Sequence, residues 1–176
     1  MTAASTPGGV AAVWWHRTFR DEHGSGRASR ARLRRCLTPV DAIAIEAVHD
    51  LNGHLEAAGH HPRADRLALL AITLAHVEED GRHPFAELLG ARPGKDAPRA
   101  LSELRWQALI RITHPLELIA PLRRALAVVR HRPIHVGALA GDLYRWNDTT
   151  RTKWCFQYFG AGSTAPDPLS HEDHDA

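Results

Sequence analysis

The chain has 176 residues, 44% of them apolar and 24% charged, with a formal net charge of +2, enough for a real core in one compact domain or two small ones. No run reaches the roughly 18 apolar residues of a membrane-spanning helix. Cys36 and Cys155, the two cysteines, form neither a CxxC pair nor a disulfide framework, so they read as small buried hydrophobes in a reduced, cytoplasmic protein.

The opening "MTAASTPGGVAAVWWHR" lacks the basic n-region of a secretory signal and reads as a loose leader followed by a first helix. Residues 26–35, "GRASRARLRR", then carry Arg27, Arg30, Arg32, Arg34 and Arg35. On a helix with Arg27 at zero, Arg34 falls at roughly 340°, Arg30 at roughly 300°, Arg35 at roughly 80° and Arg32 at roughly 140°. Leu33, Cys36 and Leu37 occupy roughly 180° to 280°. A narrow apolar seam is expected to hold this helix down while a wide arginine face looks outward. Thr38-Pro39 starts the next helix, with a capping hydroxyl before a proline whose missing N–H costs nothing at that position. Val40, Ile43, Ala44, Ala47, Val48, Leu51 and Leu55 trace one apolar stripe behind it, and Gly59 ends it. Pro62 opens a helix whose "RLALLAITLAHV" is apolar on most sides and so predicts a central buried position. "HPFAELLG" predicts a short helix ending at Gly90.

The stretch "ARPGKDAP" is the linker of the chain. Beyond it, Ser102 caps a helix over "ELRWQALIRI", and "THP" at 113–115 repeats the cap-plus-proline device. "LELIAPLRRALAVVRHR" carries Pro121 inside it, which predicts a kink or a new helix starting there, and Pro133 ends the segment. "HVGALAGDLYRW" sets Val136, Leu139, Ala140, Leu143 and Trp146 on one side. Asp148 is expected to cap the last helix, "TTRTKWCFQYF". The remaining "GAGSTAPDPLSHEDHDA" has the composition of a disordered tail. The fold class expected is all-α: an N-terminal helical bundle over 12–90, a linker over 91–100, a C-terminal bundle over 101–159, packed into an elongated protein, and an acidic tail over 160–176.

That tail holds four acidic residues and no Lys or Arg, so the body carries 22 basic against 16 acidic residues, a charge of +6. Twenty of the 22 basic residues are arginine, a bias that a GC-rich genome also produces, so position carries more meaning than abundance. Five clustered guanidiniums with few carboxylates beside them fit an anionic partner such as a phosphate backbone; a solvated face enriched by codon usage is the other reading, and the segment alone leaves both open. Further basic residues recur at helical spacing: Arg63 and Arg66, then Arg105 and Arg111, Arg123, Arg124 and Arg130, and Arg151 with Lys153. Trp106 and Trp154 interleave with them. Aromatics among arginines stack bases in single-strand binders, but here the tryptophans are read as core.

Catalytic sets are missing. "EAVH", Glu46 to His49, has the spacing of di-iron bundles, yet a second ExxH is absent and "HVEE" at 76–79 runs the wrong way. No Gly-rich phosphate loop, GxSxG or helix–turn–helix signature occurs. Neither an enzyme nor a metal or other cofactor is expected.

Seven segments in order carry a resemblance: "WW" at 14 and 15, "ARLRRC" with "TP" over 31–39, "LAHV" at 74–77, "LSELRW" at 101–106, "PLRRAL" at 121–126, "LAGDLYRW" at 139–146, and "RTKWCFQYF" at 151–159. Together they resemble the CasB family, the small subunit of the type I-E CRISPR Cascade complex, from about Val13 to Phe159. The resemblance implies a non-catalytic, all-α protein of two bundles. It implies that two copies sit in tandem against the backbone subunits and the large subunit, with guide RNA and target DNA as further partners and no membrane or small-molecule substrate. A basic surface would hold the opened target DNA, notably the displaced strand. That surface maps onto Arg34 and Arg35, then Arg63, Arg111, Arg123, Arg124, Arg151 and Lys153, with Arg27, Arg30 and Arg32 as additional candidates and Arg130 sharing a face with Arg123. After "SEL" the family carries a denser basic run where this chain has "RWQAL", which leaves the role of Arg105 open. Such a protein needs only charge and shape, because base pairing reads the sequence.

Overall fold

The computed structural model describes residues 5–20, 24–94 and 96–160. Ten helices form among them: α1 (Pro7–Phe19), α2 (Gly24–Arg35), α3 (Pro39–Ile43), α4 (Glu46–Ala57), α5 (Ala64–Ala75), α6 (Phe85–Gly90), α7 (Glu103–Ile110), α8 (Pro115–Val128), α9 (Val136–Arg145) and α10 (Asp148–Phe159). No strand forms among the described residues; a single parallel bridge pairs Asp80 with Ile134. The chain is all-α, as expected. No described helix is long and apolar enough to cross a membrane. The acidic tail, from residue 161 on, lies outside the described residues.

Three helices open on the same device, a capping side chain followed by proline. Thr6 accepts from Gly9 N at 3.1 Å ahead of Pro7, so α1 begins earlier than the sequence suggests, in what reads as leader. Thr38 and Asp41 form a capping box around Pro39. At Pro115 the cap is the His114 ring, which accepts from Leu116 N at 3.4 Å. Ser102 stands at the start of α7 without a side-chain capping bond.

Three expectations are corrected in detail. The stripe from Val40 to Leu55 is cut in two at Ala44–Ile45. Ile45 adopts an extended backbone and is buried, whereas Val40 is left 77% exposed. Burying one Ile side chain is worth roughly 1.5–3 kcal/mol, enough to favour a bend over one straight helix. Pro121 neither starts a helix nor divides one: α8 runs through it, held by Leu118, Leu122, Ala125 and Leu126 in the core. Asn147, not Asp148, caps α10, accepting from Thr150 N at 2.9 Å. Asp148 is the first helical residue and bonds Arg151 instead.

Helix α5 is the hub, buried from Leu67 through Ala75 and packed against α2, α3, α4, α8 and α9. α1 lies along α9, and α6 along α10, so helices from both halves of the chain share one apolar cluster. Two glycines permit these approaches. A Cβ on Gly8 would stand 2.2 Å from the Gly137 carbonyl oxygen, and one on Gly90 would stand 1.9 Å from that of Tyr158. All five tryptophans are buried. Trp14 donates to the Ala47 carbonyl and Trp15 to that of Leu74, each at 2.9 Å, and Trp106 stacks on Tyr158 with ring centres 4.2 Å apart. The described part of 91–100 has no helix. It is tied at its ends by Ala100 N to Ala91 O and by Arg99, which donates to the Gly90 and Tyr158 carbonyls at 2.8 Å.

Candidate nucleic-acid interface

The arginine-rich segment forms α2. Gly26 and Leu33 bury the seam. The helix stops at Arg35, so Cys36 is still buried but Leu37 is thrown out to 75% exposure. Arg27, Arg32 and Arg35 are exposed, and no carboxylate lies within ion-pair distance of them among the described residues. Arg35 turns its Nε only onto its own helix, at the Ala31 carbonyl. Asp41, which lines the same depression as Arg32 and Arg35, is occupied by the amides of Leu37 and Thr38. The Thr38 hydroxyl and amide hold its carboxyl below the usual carboxylate range.

Arg30 and Arg34 do not face solvent as the wheel suggested; both are half-buried. They turn onto the carbonyl end of α5, where the helix dipole is negative and the last carbonyls lack partners. Both Nε atoms donate to the Ala75 carbonyl, at 3.0 Å and 2.8 Å, and Arg30 also donates to Val77 O. Burial pulls the Arg30 guanidinium below its ordinary value, with Arg34 adding to the effect. Arg123 comes from α8 to the same place, donating to the Arg34 carbonyl at 2.6 Å and the Cys36 carbonyl at 3.4 Å. A cleft of about 410 Å³ at the other end of α5 holds Arg63 and Arg66, whereas Arg34, Arg123 and Arg130 surround a depression of about 230 Å³ floored by His76. Burial first, then Arg123, Arg34 and Arg30, push the His76 pKa down to about 4. Its Nε2 has no hydrogen-bond partner among the described residues.

The remaining expected site residues are distributed differently. Arg124 is exposed and Arg111 closes α7, both without a carboxylate partner among the described residues. Arg63 lies 3.7 Å from Asp65, and Arg130 lies 3.8 Å from Glu78. Arg151 is spent inside the fold: it donates to the Ile110 carbonyl and meets Asp148 at 2.5 Å. Lys153 bonds Asp142, a nearly buried carboxylate that also accepts from Trp154 Nε1 at 2.7 Å.

α2 and α8 are thus joined by Arg123, and cations of α2, α7, α8 and the segment just after α8 line three depressions. Arg32 and Arg35 sit in the first, Arg34, Arg123 and Arg130 in the second, and Arg105 and Arg124 in the third, which shares Ala127 with the second. Sequence reasoning left Arg105 open and weighed His76 only as a metal ligand. Neither carries a local motif; their placement depends on α7 and α5 meeting α8. Among the described residues no three His, Cys, Asp or Glu side chains are placed to hold a metal ion, so Glu46, His49 and His76 do not assemble. His49 instead sits 2.7 Å from the Ile43 carbonyl.

A family model described as CRISPR-associated protein Cse2 matches residues 29–159, well over half of the chain. No curated protein and no solved structure gives a significant match.

Proposed function

The chain belongs to the CRISPR-associated Cse2 family, the non-catalytic small subunit of type I-E Cascade also known as CasB, and from that premise we propose that its α2–α8 arginines hold the opened target DNA. In this reading Arg27, Arg32 and Arg35 meet phosphates directly. Arg34, Arg123 and Arg130 raise the local potential, and Arg34 and Arg123 also brace α2, which carries the first three. The observation that supports it best is that Arg27, Arg32 and Arg35 are exposed with no carboxylate partner among the described residues, on a helix where Arg30 and Arg34 are anchored to α5 and the Arg34 carbonyl accepts from Arg123 of α8. Three exposed guanidiniums on one helix repel one another and release that repulsion when phosphates replace water and counterions. Contacts of this kind carry no base preference. That suits the displaced strand of an R-loop, whose sequence is read elsewhere by pairing to the guide.

The decisive variant is R27E/R32E/R35E in the assembled complex. Target-DNA retention should fall at least tenfold while the protein keeps its helical content and its place in the complex. Unchanged retention with normal assembly overturns the reading. Loss of assembly instead would mean that these arginines pair with acidic surfaces of neighbouring subunits.

A further inference from the structure

A depression of about 520 Å³ lies between α7 and α8. α7 and α8 are joined by a short turn and make few contacts along their lengths. Leu101, Ala108 and Ile112 form one wall, Ala125 and Val128 the other, and Arg105 and Arg124 stand on opposite rims. Arg105 and Ala108 share one face of α7, with Leu101 and Ile112 just beyond its two ends, and Pro121, Arg124, Ala125 and Val128 share one face of α8. The groove is thus bounded by faces of two helices and lined by the small residues Ala108, Ala125 and Ala127, a surface on which a third helix can pack. Beside it Leu104 is 80% and Val128 43% exposed. Apolar side chains standing in water along such a groove are characteristic of an interaction site.

Charge says what would fill it. Neither Arg105 nor Arg124 has a hydrogen bond or ion pair among the described residues, and the nearest acidic residue of α7, Glu103, is turned to Arg99 at 3.7 Å. Two unpaired guanidiniums facing each other across an apolar floor match a helix with a short apolar stripe flanked by carboxylates. They do not match nucleic acid, whose bases and sugars would leave Ile112 and Val128 against polar surface. We propose that the α7–α8 groove docks an acidic amphipathic helix of a neighbouring Cascade subunit, with Arg105 and Arg124 each pairing with a carboxylate of that helix. This inference rests on membership of the complex and assigns Arg124 to a protein carboxylate rather than to a phosphate.

The test places a photo-crosslinking side chain at Ala108, which is exposed in the groove, in the full chain within the assembled complex. A crosslink to a peptide of another subunit containing a helix with Asp or Glu beside apolar residues supports the proposal. A crosslink to nucleic acid, to a second copy of this chain, or to nothing overturns it. In parallel, R105E/R124E should reduce incorporation into the complex at least tenfold with the isolated chain still folded. Normal incorporation with weakened DNA retention overturns the docking assignment and returns these arginines to the DNA surface. The reading of α2 is scored separately, by R27E/R32E/R35E.

Discussion

Arg123 of α8 donates to the main-chain carbonyl of Arg34, 2.6 Å away at the end of α2. The guanidinium thereby closes a helix terminus that its own chain leaves open, and it ties the second half of the protein to the first. A charge-assisted bond of this kind is worth roughly 1.5–3 kcal/mol. Arg123→Ala should therefore lower stability by about 2 kcal/mol, read as a fall in the urea midpoint. Arg123→Glu should cost more, because it sets a carboxylate against carbonyl oxygens. A variant as stable as the parent would show that α2 and α8 are held by apolar contacts alone.

Asp142 has two donors, Lys153 and Trp154. Asp142 is 8% exposed, so removing Lys153 leaves an undercompensated buried charge, a loss that runs to roughly 3 kcal/mol or more for well-buried pairs. Lys153→Glu should unfold the α9–α10 region, seen as loss of the near-ultraviolet signal of Trp154. Asp142→Asn should be milder, because the amide oxygen still accepts from the indole. If Lys153→Glu leaves the fold intact and lowers only DNA retention, the lysine belongs to the interface instead.

His76 sets a pH dependence. Its pKa in the folded protein is about 4, below the ordinary histidine value of 6.5, because burial and the nearby arginines disfavour the charged ring. Between those values the unfolded chain binds a proton that the folded chain does not, so stability rises with pH through this window and is lost as pH falls from 6.5 toward 4. The ring is only partly buried and solvent screens it, so the loss should be about 1 kcal/mol rather than the full linkage value. His76→Gln should be less sensitive than the parent when urea midpoints at pH 7.5 and pH 5 are compared. Parallel curves would remove His76 as the titrating group.

Periodicity and capping made most of the helices legible. The α5 run "RLALLAIT" is apolar on most sides, and only a central helix is buried that way. Thr38-Pro39 and Gly59 mark real ends. The tryptophans were legible as core for the same reason. What could not be read was how one helix end is used by another. On a wheel, Arg30 falls beside the apolar seam, and nothing local says that the carbonyls of Ala75 and Val77 will sit against it. Lys153 likewise reads as a free cation until the fold places Asp142, eleven residues earlier, beside it. Asn147 and Asp148 are both good caps by composition, and only the backbone path of Trp146 into α10 decides between them. The candidate site was therefore visible as a charge density in α2, while the division into free cations and braces needed the tertiary structure.

Gly8 is a further case in which packing overrides local preference. It lies in the first turn of α1, where alanine is the better helix former, yet its missing side chain lets α1 close on Gly137 and Gly141 of α9. Gly8→Ala should destabilise the protein by about 1–3 kcal/mol through overpacking against backbone. Gly53, in α4, has nothing within 4 Å of a Cβ placed there, so Gly53→Ala should instead stabilise by roughly 0.5–1 kcal/mol. Thermal melts of the two variants should shift in opposite directions.

The electrostatic reading of α2 has a quantitative signature. Neutralising Arg27, Arg32 and Arg35 with R27Q/R32Q/R35Q removes three candidate phosphate contacts without adding repulsion. For a single strand, each neutralised phosphate contributes roughly 0.7 to the log–log slope of affinity against salt. Retention of a target by the assembled complex should therefore become less salt-dependent, the slope shrinking by about 2. Single substitutions should each change it by less than one, because every contact is modest and the loss accumulates. Affinity should also converge with that of the parent at high salt, where counterion release no longer favours binding. A triple variant weaker by the same factor at every salt concentration would point to a lost shape or protein contact. In that case the arginines of α2 would act on a neighbouring subunit and not on phosphate.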